Sequence, residues 1–274
     1  KRRRRKAPSL AFFAYILHQG CTVCRIVFVS FGKPKRILMS SLRAIWRLSA
    51  ACWLFAALAL SLPMVRLVGG PRRAHRFFLG WIGAMHRNLN LKVERIGDLP
   101  NEPSILMGNH PSYLDIFLCY DRRPTAIVAA REFKWFPFVG WAAQAIGAIW
   151  VQRKCPESRK LIVPCILEAL RAKRSAFVFP EGRTTDGVLP STVRVGMFKA
   201  AAEAGVPVTY VAIRYSTRKA AYFHDLKGGF IPHLLRHLWT LLREPQIAVS
   251  LRYSRSQRLT CPERGMQRFE NFVR

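Results

Sequence analysis

Acidic residues are missing from the first third of this chain: no Asp or Glu precedes Glu94. Over all 274 residues, 15 Asp+Glu stand against 45 Lys+Arg, a formal net charge of +30. That balance disfavours cationic partners and predicts attraction to polyanions, namely nucleic acid, an anionic lipid surface or an acidic protein. Paired cysteines are equally scarce. The seven are scattered, and the one close pair, Cys21 and Cys24, has no second pair to complete a four-ligand zinc site. No metal site is expected, and the cysteines read as reduced structural residues of a cytoplasm-facing protein. There is no internal repeat and no low-complexity linker after residue 40. The length then suits one catalytic domain with an extension better than two equal domains.

What the acid-free region does contain is apolar. Residues 48 to 65, "LSAACWLFAALALSLPMV", form an uncharged run of 18, with Arg43 and Arg47 before it and Arg66, Arg72 and Arg73 after it. This is the lower edge of what spans a bilayer, about 17 to 25 residues. A buried core helix would look similar, but flanking cations with Trp46 and Trp53 suit a membrane interface better. The preceding stretch "PSLAFFAYILHQGCTVC" is cut short by His18, Gln19 and Arg25, which makes it interfacial at best. A bilayer partner is therefore expected and a nucleic-acid partner is not. Met39 opens "MSSLRAIWRLSAACWLF", which reads like an ordinary membrane-anchored N-terminus. The expected organisation is a basic extension over 1–38 without a fold of its own, a membrane-anchoring helical segment over 39–78 and a catalytic domain over 79–274.

After Glu94 the pattern changes to short β-rich runs at 104–108, 125–130, 147–151, 176–180, 206–215 and 246–253. Helical patterns lie between them, "PESRKLIVPCILEALRAKR" and "STVRVGMFKAAAEAG". The second ends at Gly205, where a helix-terminating glycine belongs, and Pro164 should kink the first. The alternation predicts an α/β fold, a mixed and largely parallel sheet flanked by helices behind an N-terminal hydrophobic helical segment.

Sites in open α/β sheets form where strands end and loops lead into helices. Two polar clusters lie at such junctions. In "GNHPSYLDIF", residues 108 to 117, a histidine is followed by proline and, five positions on, by an aspartate. Residues five apart on an ideal helix point about 140° away from each other. Pro111 also biases the residue before it away from helical angles. His110 is therefore expected to precede the helix and fold back toward Asp115. A carboxylate on one ring nitrogen fixes the tautomer and leaves the other to take a proton from a hydroxyl, as a general base does. In isolation, a capping histidine and an aspartate serving backbone donors would be the better explanation of the pair. The second cluster, "FPEGRTTDG" at 179 to 187, offers flexible backbone N–H groups, hydroxyls and Arg183, suited to an anionic headgroup.

Taken together, these residues resemble the glycerolipid acyltransferase family, particularly the bacterial 1-acyl-glycerol-3-phosphate acyltransferases, over about residues 80 to 255. Asn109, His110 and Asp115 match its first block. "REFKWFPFVGWAAQAIGAIWVQR" matches the second, with Pro137, Gly140, Gly147 and Arg153. Phe179 to Gly182 match the third and Val206 to Val208 the fourth. The resemblance implies that His110 deprotonates the hydroxyl of a lysophospholipid, oriented by Asp115, for attack on acyl-CoA or acyl carrier protein. It implies neither a covalent acyl-enzyme nor a metal or cofactor. Asn109, Arg131, Arg153, Glu181, Gly182 and Arg183 are expected at the acceptor, with Val206 and Pro207 shaping the apolar side. A bacterial inner-membrane location with a cytoplasmic site is implied as well. Two positions depart from the pattern. Ala130 stands where many members have lysine, with Arg131 next to it, and "EGRTT" puts Arg183 one place early. Both departures touch acceptor recognition, so a lyso-ornithine lipid acceptor is the alternative expectation. An inactive basic membrane-binding protein is the alternative from another class.

Overall fold

The computed structural model describes residues 22–120, 124–135, 139–152, 155–185, 193–222 and 230–274. The basic opening, Cys21, Pro137 and Arg153 lie outside them.

The first element, α1 (Thr22–Leu89), is two helices joined at Gly70, whose φ of 71° and ψ of 178° are not helical. Gly70 meets the need for positive φ without a Cβ penalty, and Pro71 pre-sets the first turn of the returning limb. The limbs run antiparallel. Trp81 Nε1 donates to the Leu54 carbonyl at 2.9 Å, and Asn88 Nδ2 donates to the Arg47 carbonyl at 3.0 Å. Leu58, Leu62, Phe78, Trp81 and Met85 are buried between the limbs and the domain. Phe78, Trp81, Ile82 and Met85 repeat at helical spacing along one limb, so the expected boundary at 78/79 falls inside a continuous amphipathic helix. The outward side is the reverse of a soluble surface: Leu60, Leu67 and Val68 are 76%, 80% and 77% exposed, and Trp46 and Trp53 are 73% and 72%. The helix is long and apolar enough to cross a membrane by length and composition.

Behind the hairpin lies the sheet, built from β1 (Leu91–Ile96), β2 (Ile105–Gly108), β3 (Thr125–Ala130), β4 (Ile149–Val151), β5 (Ser175–Val178), β6 (Pro207–Tyr215), β7 (Ile247–Tyr253) and β8 (Gln257–Arg258). Their order is β1-β7-β6-β2-β5-β3-β4, with β8 on β6. From β6 to β4 every pairing is parallel; β7 joins β6 antiparallel, and β1 joins β7 parallel. The sheet is mixed and largely parallel, as expected. Strands β2 and β5 are buried throughout, as parallel strands covered on both faces must be. The hairpin, the 3-10 turn Tyr113–Phe117 and α6 (Phe230–Arg243) cover one face. On the other face lie α4 (Ile162–Arg171), α5 (Gly196–Glu203) and α7 (Pro262–Val273). The short α2 (Val139–Ala145) packs on the hairpin.

Pro164 does more than kink its helix. α3 (Pro156–Lys160) stops and α4 restarts at Ile162, because the proline ring conflicts with the carbonyl four residues back, on Lys160. Gly205, with φ of 60°, follows α5 where a C-terminal glycine was expected.

The base of the hairpin is fastened to the domain by Arg47, only 6% exposed. Its guanidinium donates to the carbonyls of Leu242, Glu244 and Pro245 at the C-terminal end of α6, satisfying helix-end acceptors where cations are favoured.

Candidate active site

Three adjacent strands, β6, β2 and β5, end side by side, and each delivers a part of the site. From β2 the chain leaves Gly108 through Asn109 into His110. It then turns at Ser112, which is extended (φ −151°) and caps the 3-10 turn. The Ser112 side chain accepts from the Leu114 N–H at 3.2 Å, while Asp115 Oδ2 accepts from the Ser112 N–H at 3.0 Å, a reciprocal capping box. The same oxygen lies 2.8 Å from His110 Nδ1. His110 thus precedes the turn and folds back over it. The two alternatives left open for the aspartate, capping and orienting, are both realised by one carboxylate.

Asp115 is fully buried, whereas the His110 side chain keeps 14% exposure. The other carboxylate oxygen, Oδ1, accepts from the Tyr215 hydroxyl at 2.7 Å, at the end of β6. Burial pushes the Asp115 carboxyl up from its ordinary range. The His110 ring, the Ser112 N–H and the Tyr215 hydroxyl pull it back by bonding to the charged form. Burial also pushes the Tyr215 hydroxyl well up, reinforced by the neighbouring Asp115 charge, so this phenol stays a donor.

The strand β5 supplies Phe179, whose ring stacks on His110 with centroids 4.0 Å apart and planes at 17°. It also leads to Glu181, 3% exposed, whose Oε2 accepts the His110 N–H at 3.3 Å. Thr185 N–H donates to the His110 carbonyl at 2.9 Å, and Tyr222 N–H donates to the Pro111 carbonyl at 2.8 Å. The histidine backbone is therefore held from two directions while its ring edge stays open. A neutral imidazole donating from Nδ1 to Asp115 presents Nε2 as a proton acceptor. The described residues contain no group of three or more His, Cys, Asp or Glu able to hold a metal ion.

Asn109, expected at the substrate, spends its amide on β6. Nδ2 donates to the Ile213 carbonyl at 3.0 Å, and Oδ1 accepts the Ile213 N–H at 2.7 Å. It is a tie between strands, because an amide supplies the donor and acceptor that a strand edge requires. Val206 and Pro207 lie at the start of β6, where Val208 pairs with Ile105 at the start of β2. Level with residues 103 and 104, six to seven residues before His110, they sit about 20 Å from it at about 3.3 Å per residue, toward the opposite end of the sheet. There Pro207 is buried and Val206, partly buried, packs against the core.

Gly182 has φ of 70°, and Arg183 beside it is exposed. Arg131 is exposed at the end of β3, two strands from β2, with a long 3.5 Å contact to Gln152. Arg194 is a cation that the sequence reading missed. Its guanidinium carbon lies 3.6 Å from where a Gly182 Cβ would stand, and the Arg194 backbone N–H donates to the Pro180 carbonyl at 3.1 Å. Tyr215 was also missed, since a hydroxyl at a strand end carries no local pattern, and Phe179, though it opens the third matched block, was given no role.

Comparison with known proteins identifies the family and the fold. The family model described as Acyltransferase matches residues 90–214. The chain is 31% identical over 192 residues to a lyso-ornithine lipid O-acyltransferase of Pseudomonas aeruginosa, covering 69% of this chain and 71% of that protein. It is 29% identical over 202 residues to a chloroplastic 1-acyl-sn-glycerol-3-phosphate acyltransferase of Arabidopsis thaliana, covering 67% of this chain and 54% of that protein. With a 1-acyl-sn-glycerol-3-phosphate acyltransferase of Neisseria meningitidis, identity is 30% over 130 residues, covering 47% of this chain and 50% of the relative. The chain thus spans about half the length of the last two. The fold matches the crystal structure of the 1-acyl-sn-glycerophosphate acyltransferase of Thermotoga maritima with a TM-score of 0.61 and 18% identity, covering 87% of this chain and 94% of that one.

Proposed function

This chain belongs to the glycerolipid acyltransferase family, and from that premise we propose that it transfers a fatty acyl group from an acyl thioester to the free hydroxyl of an anionic lysolipid at a membrane surface. The observation that carries the reading is the 2.8 Å approach of His110 Nδ1 to a fully buried Asp115 carboxylate. His110 Nε2 takes the proton of the acceptor hydroxyl as its oxygen attacks the thioester carbonyl carbon. The imidazolium that forms is stabilised by Asp115. As the carbon–sulfur bond breaks, the leaving thiolate receives that proton, so no acyl-enzyme is formed. The chain's own side chains carry the chemistry, and the donor, acyl-CoA or acyl carrier protein, is a substrate rather than a cofactor.

For the acceptor, 1-acyl-glycerol-3-phosphate is the first reading, giving phosphatidic acid. Its phosphate is on the carbon adjoining the one that bears the hydroxyl, and the exposed Arg183 and Arg194 flank Gly182 on the turn that holds His110. Planar guanidinium suits bidentate anion binding. A second reading, lyso-ornithine lipid, is favoured by the Pseudomonas relative and by the "EGRTT" order of the turn.

The hairpin seats the reaction at the lipid surface. Its returning limb carries Arg72, Arg73 and Arg76 near the tip and His86 and Arg87 at the base, leaving 77–85 uncharged. That is about 14 Å of helix against a hydrocarbon core of about 30 Å. By this reading the hairpin enters one leaflet and returns, with the site on the cytoplasmic side of a bacterial inner membrane.

The test is to incubate purified protein in lipid vesicles with lysophosphatidate or lyso-ornithine lipid, each with acyl-CoA or acyl carrier protein, and identify products by mass spectrometry. Phosphatidic acid is expected from lysophosphatidate. A product from lyso-ornithine lipid alone transfers the assignment to the second reading, and no acyl transfer with any pair overturns both.

A further inference from the structure

We propose that Tyr215 is a positioning residue for this acyl transfer, its hydroxyl fixing the Asp115 carboxylate in the orientation that serves His110. The inference rests on the general-base reading above.

The carboxylate has two oxygens and only one is committed to the histidine. Oδ2 serves His110 and the Ser112 N–H, while Oδ1 accepts from Tyr215 at 2.7 Å. Among the described residues no Lys or Arg forms an ion pair with Asp115. Among those residues Tyr215 is therefore the one side chain with a hydrogen bond to Oδ1, the histidine being on Oδ2. A fully buried carboxylate with an unbonded oxygen is costly. It can relieve that cost by turning about its Cβ–Cγ bond, which moves Oδ2 off the histidine, or by taking a proton. Either change removes the partner that holds the imidazole.

Tyr215 is well placed to prevent both. It is the last residue of β6, paired with Val249 of β7, so its backbone is fixed by the sheet. Two residues earlier on the same strand face, Ile213 is clamped through both backbone groups by the Asn109 side chain. Asn109–Ile213 and Asp115–Tyr215 thus form two rungs that tie the loop carrying His110 to one strand of the sheet. A phenol is also chemically suited to the position. It supplies a neutral donor, so Asp115 keeps the negative charge that stabilises the imidazolium, whereas an arginine there would compete for it.

The test is a double-mutant cycle in full-length protein in vesicles. Tyr215→Phe should lower kcat about ten- to a hundredfold, the loss of one hydrogen bond to a charged group, with KM for both substrates little changed. Losing a donor to the ionised form favours protonation of the pair, so the acid limb of the kcat/KM profile should move to higher pH. In an Asp115→Asn background the same change should cost almost nothing further. 3-Fluorotyrosine at 215, a stronger donor of nearly the same shape, should move the acid limb to lower pH. It provides the reading if the phenylalanine variant does not fold. An equal cost of Tyr215→Phe in both backgrounds, or an acid limb unmoved by both replacements, overturns the proposal. Full turnover by His110→Ala would remove the general-base reading itself. An enzyme dependent on His110 but indifferent to Tyr215→Phe would remove only this inference.

Discussion

Asp115 and Leu67 invert the rule of burial in opposite senses. The carboxylate is 0% exposed in the domain, and the leucine is 80% exposed near the tip of the hairpin. In the domain the cost of burying charge is offset locally, by donors from His110, Ser112 and Tyr215. In the hairpin, none of the described residues covers Leu60, Leu67 and Val68, which stay 76%, 80% and 77% exposed. Under the proposed seating at a membrane, lipid would supply the compensation, since transfer of apolar surface out of water is favourable at about 25 cal/mol per Å². One chain therefore answers to two solvents, and Arg47, bonded to the carbonyls that end α6, is the fastening between them.

The sharpest way to break the comparison is to charge the tip. Leu67→Glu with Val68→Glu should lower vesicle partitioning by several orders of magnitude, at about 2.5 to 3.5 kcal/mol per charge forced toward hydrocarbon. Turnover of substrate dispersed in detergent should survive, because neither residue touches the site. Unchanged co-sedimentation with vesicles would show that the tip does not enter lipid.

Next in size is a change at the rim of the site. Arg194→Ala should raise the KM for lysophosphatidate about ten- to a hundredfold, the worth of a hydrogen bond to a charged group, and leave that for the acyl donor nearly unchanged. Arg194→Lys should restore it only partly, because an ammonium does not form the paired bonds of a guanidinium. A steady-state comparison of both substrates decides the point, and a donor-side effect would contradict the assignment.

Asp115 gives the smallest expected effect, on stability. Its folded-state pKa is raised, chiefly by burial, so the folded protein holds this proton more tightly than the unfolded chain. The stability this contributes is present below the unfolded pKa, about 3.9, and is lost as pH rises through the folded value. The neutral variant Asp115→Asn escapes that loss. The melting temperature of Asp115→Asn minus that of the unaltered protein should therefore grow by a few degrees from about pH 4 to pH 7. Scanning calorimetry measures it, and a difference that shrinks over that range would contradict the sign.

Much of the sheet was legible because parallel strands buried on both faces read as short apolar runs. The run at 125–130 coincides with β3, and 206–215 differs from β6 by one residue. The strand β1 escaped notice because only Leu91 and Val93 face the core, while Lys92, Glu94 and Arg95 stay in the open. The hairpin escaped for another reason: an 18-residue apolar run reports hydrophobicity and length, whereas the return at Gly70 depends on one dihedral angle. At the site, His110 and Asp115 were legible because five residues of spacing and a proline constrain them locally. Tyr215 lies 100 residues from its partner, and only the pairing of β2 with β6 brings them together. Asn109 was legible as a special residue but not in its role, since a sequence does not say whether an amide faces a ligand or a neighbouring strand.

The central claim is that chemistry resides in the His110–Asp115 pair and attachment in the hairpin, and one variant separates the two. His110→Ala, reconstituted in vesicles with lysophosphatidate and acyl donor, should lose about 10²- to 10⁴-fold or more in kcat. Its co-sedimentation with the same vesicles should match that of the unaltered protein. Turnover within a few-fold of the unaltered enzyme would contradict the account.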